Sequence, residues 1–208
     1  MRIACEGLPF IIPPLGIGIF LLLWGLNLPG LLFLILALIP AFFFRDPNRN
    51  IPQDEKLILS PADGKILKIA PAPQEEKAKG REWMVSIFLS LFDVHINRSP
   101  IGGRITELKY IPGRFLPAFK KEASEFNERN IVEIDNGEDT ICFHQIAGIL
   151  ARRVVLWKER GDQVNLGEKL GIIKFGSRVD LFLPGNMKLR VKEGQRVKGG
   201  TSIIGELK

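Results

Sequence analysis

Cysteine and histidine are scarce, two of each in 208 residues. Cys5 and Cys142 stand far apart and form no CxxC, which excludes a disulfide framework and fits a reduced compartment. No metal-ligand spacing surrounds His95 or His144, so no structural metal is expected, and His144 reads as an ordinary strand residue. Basic and aromatic residues do not interleave as they do in stacking surfaces, so nucleic acid is not the expected partner despite a net charge of +6. Disorder is excluded by the 46% hydrophobic content. The largest absence is of charge: none occurs between Glu6 and Arg45.

That uncharged segment, GLPFIIPPLGIGIFLLLWGLNLPGLLFLILALIPAFFF, exceeds the roughly 20 apolar residues of a spanning helix. Pro13, Pro14, Asn27, Pro29 and Gly30 interrupt it, which predicts two short helices meeting near Leu26 to Gly30, as a crossing or re-entrant membrane hairpin over 1–45. A secretory signal fits poorly, because its apolar core is about 7–15 residues and ends at a small-residue cleavage site. Arg45 and Arg49 follow the segment directly, and the positive-inside rule then puts the remaining chain on the cytoplasmic side of the cell membrane. The basic excess suits anionic headgroups.

From Leu57 onward short apolar runs alternate with turn signals, the pattern of a mainly β domain over 46–208. KEASEFNERN, from Lys121, reads as a loop or short helix, and QEEKAKGR, from Gln74, as a solvated turn. ERGDQVNLGEKLGII, from Glu159, repeats 33 residues later as KEGQRVKGGTSIIGE, with Gly161, Val164, Gly167 and Leu170 matched by Gly194, Val197, Gly200 and Ile203. The repeat resembles the barrel-sandwich hybrid of biotinyl and lipoyl carrier domains. A membrane-tethered carrier is therefore one functional reading, with Lys188 of the Met187-Lys188 pair as its attachment point; the plain alternative is a solvated strand lysine.

KFGSRVDLF, from Lys174, carries glycine and serine at the start of a strand. Taken alone, Gly176 and Ser177 read as a β-bulge, Asp63 in SPADGKI as a turn-former and His95 in DVHINRSP as an edge histidine. Taken together they supply a hydroxyl beside a tight peptide, a base and an acid to hold the base, which are the parts of a self-attacking serine.

FFFRDPNR, SPADGKI, IFLSLFDVHINRSPIGG, PGRFLPAF, NERN, QIAGILARRVV and GIIKFGSRVDLFLP run in order from Phe42 to Pro184, and in this order the chain resembles phosphatidylserine decarboxylases of the short, membrane-tethered form. The resemblance implies a zymogen cut between Gly176 and Ser177 into a β chain, 1–176, and an α chain, 177–208, that remain together as a heterodimer. It implies a pyruvoyl group made from Ser177, which captures the substrate amine and takes up the electrons released with CO2 as phosphatidylserine becomes phosphatidylethanolamine. His95 is the implied proton carrier and Asp63 its orienting or charge-stabilising partner. Arg98 and Arg114 are the implied guanidinium contacts to lipid phosphate or carboxylate. Where the family pattern has a second histidine, as in DYHRVHMP, this sequence has Arg98, so the base for cleavage stays open. So do a homo-oligomer and another serine-headed lipid, such as an archaeal ether lipid, as substrate.

Overall fold

The structure, a computed structural model, describes residues 2–120, 122–148, 154–174 and 176–207. The chain divides into two compact units, Met1–Asn48 and Arg49–Lys208.

In the first unit β1 (Arg2–Ile3) pairs antiparallel with β2 (Arg45–Asp46), so the chain enters and leaves a helical pair at one place. After a 3-10 turn at Cys5–Gly7 come α1 (Leu8–Leu23) and α2 (Asn27–Phe43). The break falls at residues 24–26, at the near edge of the expected Leu26 to Gly30, with Gly25 at φ +75°, and Asn27, Pro29 and Gly30 lie inside α2. Pro13 and Pro14 behave otherwise: they lie inside α1, which continues through them. Each leaves a carbonyl without its N–H partner, which costs a helix a ladder bond but does not force it to end. Pro29 sits in the first turn of α2, where N–H groups have no helical partner in any case. A Cβ on Gly18 would stand 3.0 Å from the Gly30 carbonyl oxygen, so these glycines let the two backbones approach closely. Among the described residues one helical stretch, Cys5–Leu23, is long and apolar enough to cross a bilayer; α2 is shorter.

The second unit is built from strands: β3 (Leu57–Leu59), β4 (Gly64–Pro71), β5 (Arg81–Leu89), β6 (Ile96–Arg98), β7 (Gly103–Ile111), β8 (Arg129–Asp135), β9 (Thr140–Ala147), β10 (Val154–Leu156), β11 (Gln163–Val164), β12 (Lys169–Ile173), β13 (Ser177–Pro184), β14 (Lys188–Leu189), β15 (Arg196–Val197) and β16 (Ile203–Glu206). An eight-stranded antiparallel sheet has the order β11-β7-β8-β9-β13-β5-β4-β15, and two three-stranded sheets have the orders β10-β12-β6 and β14-β16-β3. Alternation divides the faces. Val179, Leu181 and Leu183 of β13 join Ile141 and Phe143 of β9 and Val85, Ile87 and Leu89 of β5 in the main core, while Arg178, Asp180 and Phe182 project from the opposite, outer face. Two helical turns, α3 (Gln74–Lys77) and α4 (Ala123–Phe126), lie in the connections.

The repeat between Glu159 and Glu206 is one half of a larger duplication. SPADG, from Ser60, and SPIGG, from Ser99, form the same turn: Ser60 Oγ–H donates to the Ala62 carbonyl and Ser99 Oγ–H to the Ile101 carbonyl. Each turn then meets one copy of the repeat. Gly200 N–H donates to Ser60 O and Gly167 N–H to Ser99 O, while Val197 pairs with Gly64 and Val164 with Gly103. The 33-residue repeat therefore forms turns in a two-fold pattern that also takes in β3 and β6, within a mainly β unit. Lys188 is exposed on β14, opposite Glu206, and Met187 beside it is buried.

The solvated-turn expectation for QEEKAKGR fails at its last residue. Arg81 is 2% exposed and forms ion pairs with Glu76 and Glu133. A turn ends there and an inner strand begins. In KEASEFNERN the helix is the single turn α4, and Lys121 lies outside the described residues.

Candidate active site

Strand register gathers the motifs. β4, β5, β13 and β9 are antiparallel neighbours, so the start of one lies beside the end of the next. Lys65, near the start of β4, pairs with Phe88 near the end of β5, and Ser177, the first residue of β13, pairs with Leu89 of β5 and with Ala147, the last residue of β9. Asp63, the Ser90–His95 turn, Ser177 and Gly148 consequently lie at one end of the sheet. The pairing of Ile111 with Arg129 brings the loop of PGRFLPAF and NERN to that same end.

Ser177 is completely buried, and its Oγ has no hydrogen-bond partner among the described residues. A buried hydroxyl left in that state costs about 1–3 kcal/mol, an arrangement expected where the hydroxyl serves chemistry. Gly176 precedes it at φ +58°, in the left-handed region that favours glycine. Opposite lies Gly148: a Cβ there would stand 2.1 Å from the Gly176 carbonyl oxygen and 3.3 Å from Ala118 Cβ. Only hydrogen at position 148 leaves room for that carbonyl. Phe175 and the 149–153 part of QIAGILARRVV lie outside the described residues.

His95 is fully buried. Its backbone carbonyl accepts from Ile173 N–H at 3.2 Å, which fixes it against the strand leading into the Gly-Ser peptide. Nδ1 lies 3.0 Å from the Asp93 carbonyl oxygen. With Nδ1–H donating there, Nε2 is the basic nitrogen. The turn that places His95 is held by the Asp93 carboxylate, which accepts from Ser90 N–H at 2.9 Å, Ser90 Oγ–H at 2.6 Å and Arg196 Nη1 at 2.9 Å. Burial pushes the Asp93 carboxyl up, but the bonds from Ser90 and Arg196 outweigh it and hold it below its ordinary range.

Asp63 is its counterpart. Its carboxylate accepts from Arg49 Nη2 and from Gly199 N–H, both at 2.7 Å. Burial raises its pKa; Arg49 and Gly199 oppose the rise, the Asp93 charge adds to it, and the net shift is upward. The two neighbouring carboxyls are thus shifted in opposite directions, Asp63 upward by burial and Asp93 downward by its hydrogen bonds. The duplication sets Asp63 apart: where SPADG has Asp63, SPIGG has Gly102 and makes the same turn, so the fold does not require the carboxylate.

The two arginines are placed differently. Arg98 is 8% exposed, and its Nη1 donates to the Gly167 carbonyl at 2.9 Å while its stem packs on Gly200, so it joins both copies of the repeat. Arg114 is exposed, its guanidinium 5.9 Å from the centre of the Phe126 ring.

Neighbouring groups hold the site's walls. Asn127 is fully buried; its Nδ2 donates to Leu116 O at 2.8 Å and to Ala147 O at 2.7 Å, and its Oδ1 accepts from Leu116 N–H at 2.9 Å. It clips the loop after Arg114 onto the strand end beside Ser177. On the outer face Arg178 and Asp180 form a two-bond ion pair at 2.6 and 2.8 Å, and Ser124 Oγ–H donates to Asp180 at 3.0 Å.

The sequence profile of the phosphatidylserine decarboxylase family matches residues 36–205. The chain belongs to the phosphatidylserine decarboxylase family. A phosphatidylserine decarboxylase proenzyme of Carboxydothermus hydrogenoformans is 47% identical over 180 residues, 86% of this chain and 84% of the relative. One from Desulfotalea psychrophila is 39% identical over 210 residues, 99% and 96% of the two chains, and one from Chlorobium phaeobacteroides 48% over 164 residues, 79% and 77%. For a phosphatidylserine decarboxylase family member, the motifs taken together nominate Ser177, Gly176, His95, Asp63, Arg98 and Arg114 but not Gly148, Asp93, Asn127 or Arg49. Arg49, read as a membrane-flanking charge, is the ionic partner of Asp63. All four lie within quoted motifs; what the motifs lacked was the tertiary contact that gives each its task.

Proposed function

We propose that this chain is a proenzyme that cuts itself between Gly176 and Ser177 and then decarboxylates phosphatidylserine to phosphatidylethanolamine at a membrane surface. The observation that carries the reading is the buried, unpartnered Ser177 hydroxyl next to a Gly176 carbonyl for which Gly148 leaves room. Ser177 Oγ attacks the Gly176 carbonyl carbon, and the hydroxyl proton passes to His95 Nε2. The amide C–N bond breaks as the nitrogen of residue 177 takes a proton, leaving an ester. Loss of the Cα proton expels the Gly176 carboxylate, and water releases ammonia from the resulting enamine, so that 1–176 ends in a carboxylate and 177–208 begins in a pyruvoyl group.

The residues present suit that group. Ser177 is enclosed between β5 and β9, with the small Ala147 beside it and Gly148 next in the chain. The pyruvoyl ketone, when formed, supplies the electron sink for loss of CO2. Asp63, its carboxylate fixed by Arg49 and Gly199 N–H, orients or charge-stabilises the base during cleavage, and His95 then carries the proton to the substrate carbon. Arg114, exposed beside the site, meets lipid phosphate or carboxylate, and Arg98 supports the same end of the sheet through its bond to Gly167. The apolar helical pair over 1–45 holds the site at the bilayer, with the β unit on the cytoplasmic side by the positive-inside rule.

Intact mass and denaturing electrophoresis of the purified chain test the reading. Two fragments matching 1–176 and 177–208 are expected, the smaller blocked and reactive to borohydride, and Ser177→Ala should stay a single polypeptide. Normal cleavage in that variant would overturn the assignment of the nucleophile. An assay with phosphatidylserine and with a serine-headed ether lipid then decides the substrate.

A further inference from the structure

Three side chains that the reaction does not use converge on the outer face of the same sheet. Cys142 and His144 alternate along β9 with the core-facing Ile141 and Phe143, so both project away from the core. The connection from β4 to β5 folds over them and brings α3, with Glu76, into reach. A carboxylate oxygen of Glu76, the sulfur of Cys142 and a ring nitrogen of His144 all lie within 4.8 Å of one another. Cys142 is 1% exposed, and His144 Nε2 is buried with no hydrogen-bond partner among the described residues, its ring packed 4.6 Å from that of Phe182. Leaving such a nitrogen in this state is unfavourable unless something binds it.

We propose that Glu76, Cys142 and His144 form a binding site for a zinc-class divalent cation. One sulfur, one nitrogen and one oxygen donor suit a borderline-soft metal and suit calcium or magnesium poorly. Bonds of about 2.0–2.3 Å in tetrahedral geometry separate ligand atoms by roughly 3.3–3.7 Å, so closure asks for a contraction of about 1 Å, within the reach of side-chain torsions. The metal would displace the thiol proton as it binds, and Arg81 would keep Glu133 as an ionic partner if Glu76 turned to the metal.

A thiol–imidazole nucleophile is the competing use of the same residues. It needs a substrate to reach the sulfur, whereas Cys142 is 1% exposed on a strand inside the sheet. The sequence conceals the site because its third ligand comes from a distant connection, and Cys-x-His alone is not a metal spacing. Occupancy would tie the α3 connection to the central strand β9.

The test uses the full chain in detergent, with Cys5→Ser removing the other thiol. One equivalent of cobalt(II), standing in for zinc, is expected to give a thiolate-to-metal charge-transfer band that zinc abolishes. Adding Cys142→Ser should eliminate the band. His144→Gln and Glu76→Gln should each weaken zinc binding by about 10-fold or more. Circular dichroism melts check that each variant is folded, and zinc should raise the melting temperature of the Cys5→Ser protein but not of the Cys142→Ser version. The proposal is overturned by the lack of a stoichiometric band in the Cys5→Ser protein, or by zinc affinity unchanged in all three ligand variants. If Cys142→Ser proves unfolded, the His144→Gln affinity alone decides.

Discussion

Alanine at position 148 adds one carbon where the structure has no space for it, 2.1 Å from the Gly176 carbonyl oxygen. Either that carbonyl turns away or the β9 end moves, and the geometry of attack is lost in both cases. Displacement of about 1 Å from a reactive alignment costs on the order of 100-fold in rate. Gly148→Ala is therefore expected to accumulate as uncut precursor, with self-cleavage slowed about 100-fold when followed by electrophoresis after synthesis. Asp93 gives a second test, through pH. Its carboxyl lies below the ordinary value, so the folded state releases this proton more readily than the unfolded one. The stability it contributes is complete above a pH of about 4 and is lost as pH falls through the folded-state value. Asp93→Asn is expected to unfold more easily by about 1.5–3 kcal/mol at neutral pH, the range for hydrogen bonds to charged groups, and to flatten the acid limb of the denaturation midpoint plotted against pH. His95 and Ser177 could be nominated from the sequence because their motifs, ordinary one by one, stand together in the order that resembles phosphatidylserine decarboxylases. Asn127 could not, because its meaning lies in bonds to Leu116 and Ala147, which no local pattern records.

Among the elements, β13 was easy to recognise and hard to place. Alternation from Arg178 to Leu183 announces a strand, but nothing in it says that the neighbours are β5 and β9, or that all eight residues are buried. Burial of the outer face depends on one ion pair. Arg178 and Asp180 lie two apart on that face, linked by two bonds, with Ser86 and Ser124 joining them. Removing one partner strands the other charge in a desolvated setting, at a cost of about 3–5 kcal/mol. Arg178→Ala and Asp180→Ala are each expected to lower stability by that amount in chemical denaturation, while the double replacement by apolar residues of similar volume costs less than either. A loss in the double variant equal to the sum of the two single losses would show that the pair is not coupled. The duplicated SP-x-x-G turns show the same limit of legibility. Their similarity is visible in the chain, yet the match becomes meaningful only when each turn is seen to receive one copy of the later repeat. The helical pair illustrates the converse, since Pro13 and Pro14 signal a break that the apolar helix does not make.

For the molecule as a whole, the proposed cut raises a question of cohesion. The segment after Gly176 contributes β13 to the middle of the eight-stranded sheet, β15 to its edge beside β4, and β16 to the sheet with β3. Val179, Leu181, Leu183, Val197 and Ile204 stand in the core with side chains from the preceding segment. At about 1.5–3 kcal/mol for each buried side chain, the apolar term alone reaches on the order of 10 kcal/mol. The ladder bonds on both sides of β13 add specificity, because a one-residue slip would carry Ser177 to the outer face. Breaking the peptide before Ser177 removes none of these contacts. The two fragments are therefore expected to elute together in detergent at neutral pH, as one species with one cooperative thermal transition, and to separate only once denatured. Elution of 177–208 apart from 1–176 under native conditions would show that the sheet does not hold them, and would leave a group formed at residue 177 without the walls that Ala147 and Gly148 provide.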